Sequence, residues 1–209
     1  MRRFFAAIAS VPLFALVASA TDAPKAEVFL GYNFVRFNPD SPILPSFNAN
    51  GGSGQFVYNF RRWIGAAFDA GAVTHGSLNG IIDTTVVHFV AGPRFRYYNH
   101  SRFTPYAEAL FGGAYATASA PIGVAGVVLP PGFVLPPGGL IGSRIGASRT
   151  GFAMFIGGGL DIKVGKHIAI RPFGVDYYLT RLPTLLTGNT NNQNNFRYMG
   201  GVNFLWGAQ

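Results

Sequence analysis

The chain has no cysteine. That excludes disulfides, thiolate metal sites and cysteine nucleophiles. It also has little charge. Asp, Glu, Lys and Arg make up 11% of its 209 residues, against about 25% in an ordinary soluble domain. Only three are Lys and two are Glu. A water-facing surface is normally wetted by those two residue types, so their shortage implies that much of the exterior does not face water. A third absence narrows the choice. No run of 18 consecutive apolar residues occurs after residue 20, which argues against a membrane-spanning helix. The 28 glycines are scattered and show no collagen period.

Apolar and aromatic residues are plentiful, at 49% and 15%, with 20 Phe and 9 Tyr. The first twenty residues, "MRRFFAAIASVPLFALVASA", have the three parts of a secretory signal. Arg2 and Arg3 precede a short apolar stretch, and Ala18-Ser19-Ala20 is a small-residue cleavage site. Residues 1–20 are therefore expected to be removed near Ala20, leaving 21–209 as one domain. No Cys follows the signal, so a lipoprotein is excluded. Removal leaves 14 basic and 8 acidic residues. The basic ones form no runs and the chain is exported, so nucleic acid is not an expected partner.

Eight segments alternate with period two: 26–37, 53–62, 63–74, 84–97, 104–117, 150–163, 168–180 and 195–206. Alternation of this kind is the signal for strands. Each segment is about as long as the 9–11 residues that a tilted membrane strand needs. Their connections alternate between short ("FRRWIG", "YYNHSRFT", "KVGKHIA") and longer, the longest being 118–149. The pattern predicts an all-β fold, an eight-stranded antiparallel transmembrane up-and-down β-barrel. The short turns are expected in the periplasm and 118–149 outside the cell.

One parity of each strand is apolar and almost free of charge, as a lipid face requires. Phe56, Tyr58 and Phe60 lie on it, as do Val87, Phe89, Phe95 and Tyr97, and Phe152, Met154 and Ile156. The other parity gathers the charges. Its acids are Glu27, Asp69, Glu108, Asp161 and Asp176; its bases are Arg61, Arg94, Arg96, Lys163, Arg171 and Arg197. An eight-stranded barrel has room inside only for side chains. These groups are thus expected to pair as a plug, because an unpaired buried charge is costly. Arg94, Arg96, Asp69 and Glu108, on three successive strands, are expected in one layer. In "IAIRPFGVDYYLTR" Arg171 and Asp176 fall on opposite parities. A bulge between Pro172 and Gly174 would turn both inward.

A signal peptide, eight amphipathic strands and an aromatic last strand together resemble the small OmpA-type outer-membrane barrels of Gram-negative bacteria. "GSGQFVYNFRRWIGAAFDAGAV" and "RPFGVDYYLTR" carry the resemblance most clearly. It covers about residues 26–206. It implies an outer-membrane location, contact with membrane lipid and lipopolysaccharide, and a monomer. "GVNFLW" resembles the signal read by the barrel-assembly machinery, through Gly201, Val202, Phe204 and Trp206, although Gly207, Ala208 and Gln209 follow it. Tyr198, Val202, Phe204 and Trp206 would face lipid.

Motifs for chemistry are sparse. His75 and Ser77 lie two apart near a strand end, but a nucleophilic Ser needs a base and an orienting group, and neither Glu has an obvious place beside them. His88, on the polar parity, is expected to be an interior hydrogen-bonding residue. Gly157-Gly158-Gly159 lies within a strand and opens no helix, so it is no phosphate loop; close packing at the wall is its expected role. No cofactor is expected. The expected function is a non-enzymatic structural or surface-interaction role with a charge-plugged interior. A small or gated pore and a lipid-modifying enzyme are the alternatives.

Overall fold

The computed structural model describes residues 23–39, 46–78, 82–98, 101–121, 144–183 and 190–208. The proposed signal, residues 1–20, lies outside them. Eight strands follow in chain order: β1 (Pro24–Phe37), β2 (Phe47–Arg61), β3 (Ile64–Leu78), β4 (Ile82–Arg96), β5 (Phe103–Pro121), β6 (Arg144–Lys163), β7 (Ile168–Pro183) and β8 (Thr190–Ala208). Each pairs antiparallel with its neighbours, and β8 returns to β1, closing the barrel. Closure leaves no free sheet edge, so every strand has backbone partners on both sides. That is the condition for crossing lipid with strands.

The faces follow the alternation. Outward side chains form an exposed apolar band that includes Leu30, Phe56, Phe68, Phe89, Phe111, Ile156 and Val202. Among the described strand residues, outward charges such as Lys25, Arg36, Asp83 and Arg181 lie at strand ends. Tyr198, Val202 and Trp206 are exposed on the outer face, and Phe204 is half-buried there, stacked on Trp206 with 6.1 Å between ring centroids.

The strands are longer than the alternation alone predicts, running 14 to 20 residues. They grow at the long-loop end. Two-thirds of "HGSLNGIID" is strand, since β3 reaches Leu78 and β4 starts at Ile82. Residues 118–121 and 144–149, expected in the longest loop, continue β5 and β6 as a ladder that ends at Pro121↔Arg144. Residues 122–143 lie outside the described residues. These extensions read as loop because outward positions in them are polar: Asn48, Asn50, Asn192 and Asn194.

The bulge in β7 is present. Register shifts by one residue against both neighbours, between Arg171 and Gly174 on one side and Leu160 and Ile162 on the other. Pro172 and Phe173 are both exposed, while Arg171 and Gly174 are both buried. Glycine at 174 is not required by its backbone dihedrals. Only Gly207, with φ 69°, has a positive φ among the described glycines. At Gly174 it is space that matters, since a Cβ there would stand 2.7 Å from the Tyr106 hydroxyl and 2.8 Å from Met199 Cγ.

A second bulge, between Asn59 and Arg61, corrects one assignment. Phe60 is the extra residue, so Asn59 points inward while Arg61 is exposed at the two-residue turn Arg62–Trp63. Arg61 does not belong to the interior. Nothing in the alternation of "QFVYNFRR" reveals the slip.

Candidate functional site: the charged interior

The interior has three levels. Towards the long-loop end an apolar cluster fills the bore, with Val35, Phe37, Ala49, Val73, Val86 and Ala116 among its members. Phe47, half-buried, packs against the cluster and stacks on Phe37, with 5.1 Å between centroids. Below it lies a first ionic network. Arg197 Nε donates to Asp176 Oδ2 at 2.8 Å, and its Nη1 donates to Asp69 Oδ1 at 3.0 Å. His88 Nε2 lies 2.8 Å from the same Asp69 oxygen. The Arg197 guanidinium lies over the Phe155 ring, 3.9 Å from its centroid. Phe155 meets Tyr178 edge-on, and both rings contact His88.

The second network occupies the short-turn half. Arg171 holds Asp161 with two bonds, Nε to Oδ1 at 2.7 Å and Nη2 to Oδ2 at 3.2 Å. That is the fork geometry in which guanidinium and carboxylate match best. Arg171 Nη1 donates to Gln55 Oε1 at 3.3 Å, and Gln55 Nε2 donates to both oxygens of Glu108 at 3.2 Å. Arg94 Nε completes that arm, donating to Glu108 at 2.8 Å. In the other direction Arg96 bridges Asp161, at 3.3 Å, and Glu27. Asn59 and Asn203 donate one bond each to Glu27, both at 2.7 Å. Just beyond β4, Arg96 Nη1 donates to the Tyr98 hydroxyl at 3.3 Å; burial raises the pKa of that phenol.

Tyr106 organises the middle of this half. Its ring lies between Arg94 and Arg171, 4.0 and 4.3 Å from the two guanidiniums. It reaches across to a part of the wall without side chains. A Cβ on Gly159 would stand 2.8 Å from the Tyr106 hydroxyl, as tight a fit as at Gly174. The other two glycines of the triplet pack against backbone. A Cβ at Gly157 would meet Val175 O at 2.1 Å, and one at Gly158 would meet Tyr106 O at 2.3 Å.

Glu27, Asp69, Arg94, Arg96, Glu108, Asp161, Arg171, Asp176 and Arg197 are thus all buried inside the barrel. Lys163 is half-buried at the short-turn end, its Nζ 5.1 Å from the Tyr98 ring centroid. Besides the loss of Arg61, the grouping differs from the expected one in one respect. Asp69 is not with Arg94 and Arg96. The β3–β4 register sets Asp69 opposite Val90 and Gly65 opposite Arg94, which lifts Asp69 into the upper network beside Arg197. The residues not anticipated are the neutral couplers Gln55, Asn59 and Asn203 and the aromatic partners Tyr106, Phe155 and Phe29, whose ring centroid is 4.1 Å from the Arg171 guanidinium. Their polar-parity positions were the available signal.

Outside the networks, His75 packs on Phe47 and contacts the backbone carbonyl of Asn48. Both glutamates of the chain are engaged in the lower network, so neither is placed to orient His75. The side chain of Ser77 lies outside the described residues.

This architecture is shared with solved outer-membrane barrels. The attachment invasion locus protein Ail of Yersinia pestis superposes with a TM-score of 0.56 at 17% identity, over 87% of this chain and 97% of that one. Neisserial surface protein A superposes with a TM-score of 0.55 at 13% identity, over 87% and 97%. The fold is therefore that of the small eight-stranded outer-membrane barrels. No protein family matches the sequence, and no curated protein does.

Proposed function

We propose that this chain is a Gram-negative outer-membrane barrel with a closed bore, which serves the envelope through its surface and carries out no catalysis. The supporting observation is the interior itself. Two ionic networks and an apolar cluster follow one another along the bore, and among the described residues the four buried arginines each have a carboxylate partner. Buried pairs of this kind hold position by mutual attraction and fixed hydrogen bonds. A conducting path would have to break them. The long-loop end, where strands rise past the apolar band with Asn-rich outward positions, is the surface the barrel offers to partners beyond the membrane.

Planar-bilayer recording of the purified barrel tests closure. The expected result is no stepwise conductance above the empty membrane. Discrete steps that change size in Glu108→Ala would favour a small pore. Lipid A from cells with and without the protein should give the same mass spectrum; a new deacylated species would favour an enzyme.

Orientation has its own test, made simple by the lack of cysteine. Single cysteines placed at Lys166 and at Ser148 can be labelled on intact cells with a membrane-impermeant maleimide. Position 148 should label at once, and position 166 only after the outer membrane is permeabilised. The reverse pattern would put the short turns outside.

A further inference from the structure

The short-turn rim carries one sign of charge. Lys25, Arg61, Arg62 and Lys166 are exposed there, and Arg102 is half-exposed. Among the described residues no carboxylate accompanies them on the outside. The nearest acids, Glu27 and Asp161, point into the bore and are engaged by Arg96 and Arg171. At the opposite rim Asp83 is exposed alongside Arg36, Arg149 and Arg181.

Beside three of these cations the lipid-facing wall is hollowed. A shallow groove of about 370 Å³ is lined by the outward side chains of Trp63, Phe95, Tyr97, Pro105 and Ala107. Trp63 and Phe95 are nearly parallel, 6.2 Å apart at 16°, and make one flat wall. Ala107 is the smallest side chain of the lining. The turn that ends in Trp63 carries Arg61 and Arg62, and Arg102 precedes Phe103 at the start of β5. The two basic turns are tied to each other through the end of β4, where Arg96 N–H donates to Trp63 O at 2.9 Å and Tyr97 N–H to Pro105 O at 3.0 Å, so their arginines adjoin the apolar lining in the chain.

Apolar lining with adjoining cations matches one molecule of the surrounding membrane. We propose that the groove and these three arginines form a site for an anionic phospholipid of the phosphatidylglycerol type, drawn from the inner leaflet. An acyl chain lies along the groove and the phosphate sits among Arg61, Arg62 and Arg102. Guanidiniums pair with phosphate through parallel N–H donors, and basic pockets at a membrane rim favour anionic over zwitterionic headgroups. The choice of leaflet rests on the orientation proposed above; the binding does not.

Native mass spectrometry of the mature barrel tests the site. The protein is released from detergent containing equal amounts of phosphatidylglycerol, phosphatidylethanolamine and lipid A. One phosphatidylglycerol should be retained preferentially. In Arg61→Gln/Arg62→Gln/Arg102→Gln its retention should fall at least about tenfold, since each cation near a headgroup contributes roughly fivefold in affinity. Ala107→Leu, which fills the groove and keeps the charges, should also lower it. Arg36→Gln/Arg181→Gln, at the other rim, should not. Equal retention of both phospholipids, or a triple variant that binds as the parent does, would overturn the site. Preferential retention of lipid A would overturn the assignment to phosphatidylglycerol. Detergent has no leaflets, so these results are independent of the cysteine labelling, which alone decides the leaflet.

Discussion

Arg197→Met is expected to lower the stability of the barrel by about 3–5 kcal/mol, the range for breaking a buried ion pair from one side. Arg197 is fully buried and serves two carboxylates, Asp176 and Asp69. Methionine keeps much of the volume over Phe155 but leaves both acids without their cation. Equilibrium urea unfolding of the protein in phospholipid vesicles would measure the loss. Adding Asp69→Asn and Asp176→Asn to the same chain should restore most of the stability, because neutral amides remove the uncompensated charge. If Arg197→Met alone unfolded at the parental urea concentration, water in the bore would have to be solvating the two acids, and the closed interior would be refuted.

The second large effect is expected at the seam. Phe204→Asp/Trp206→Asp should leave the protein exported but unassembled in the membrane. Phe204 stands opposite Val28 and Trp206 opposite Ala26, in the ladder that closes β8 on β1. Two carboxylates on that outer surface would oppose insertion by about 2 kcal/mol together, since acids cost less than bases on a lipid face and less still near its edge. They also remove the two rings of the segment that resembles the assembly signal. Heat-modifiable migration of envelope fractions on unboiled gels reports the folded share. Phe204→Leu/Trp206→Phe, which preserves the apolar character, should fold normally. Parental amounts of folded double-Asp protein would detach the last strand from assembly.

What could be read from the sequence was the wall and which way most side chains face. Period two is a local property, and wherever apolar and polar residues alternate cleanly, as in β4, the assignment needs no knowledge of neighbours. Even the β7 bulge was legible, because Arg171 and Asp176 could not both face inward without it. Arg61 was not, because an exposed arginine beside a turn creates no conflict. The strand extensions were missed for a similar reason: outward asparagines above a membrane look like loop. Least legible was pairing inside the bore. Arg197 and Asp69 are 128 residues apart. Which charges share a height depends on the stagger between strands, and stagger accumulates around the barrel. Asp69 went to a different network for that reason alone.

Members of the two networks come from every strand of the wall: Glu27 from β1, Gln55 from β2, Asp69 from β3, Arg94 from β4, Glu108 from β5, Asp161 from β6, Arg171 from β7 and Arg197 from β8. This bears on how the molecule forms and how long it lasts. A curled sheet that still lacks β8 holds Asp69 and Asp176 without Arg197, and Glu27 and Asp161 without Asn203. Such an intermediate carries unmet charge on its concave side and is a poor resting place. Closure is then the step in which much of the polar pairing is gained at once. Run backwards, the first strand to peel away gives up ion pairs before any new solvent contact replaces them. The barrier to opening is therefore high, and the lifetime of the folded barrel is set by that barrier more than by the equilibrium between its end states.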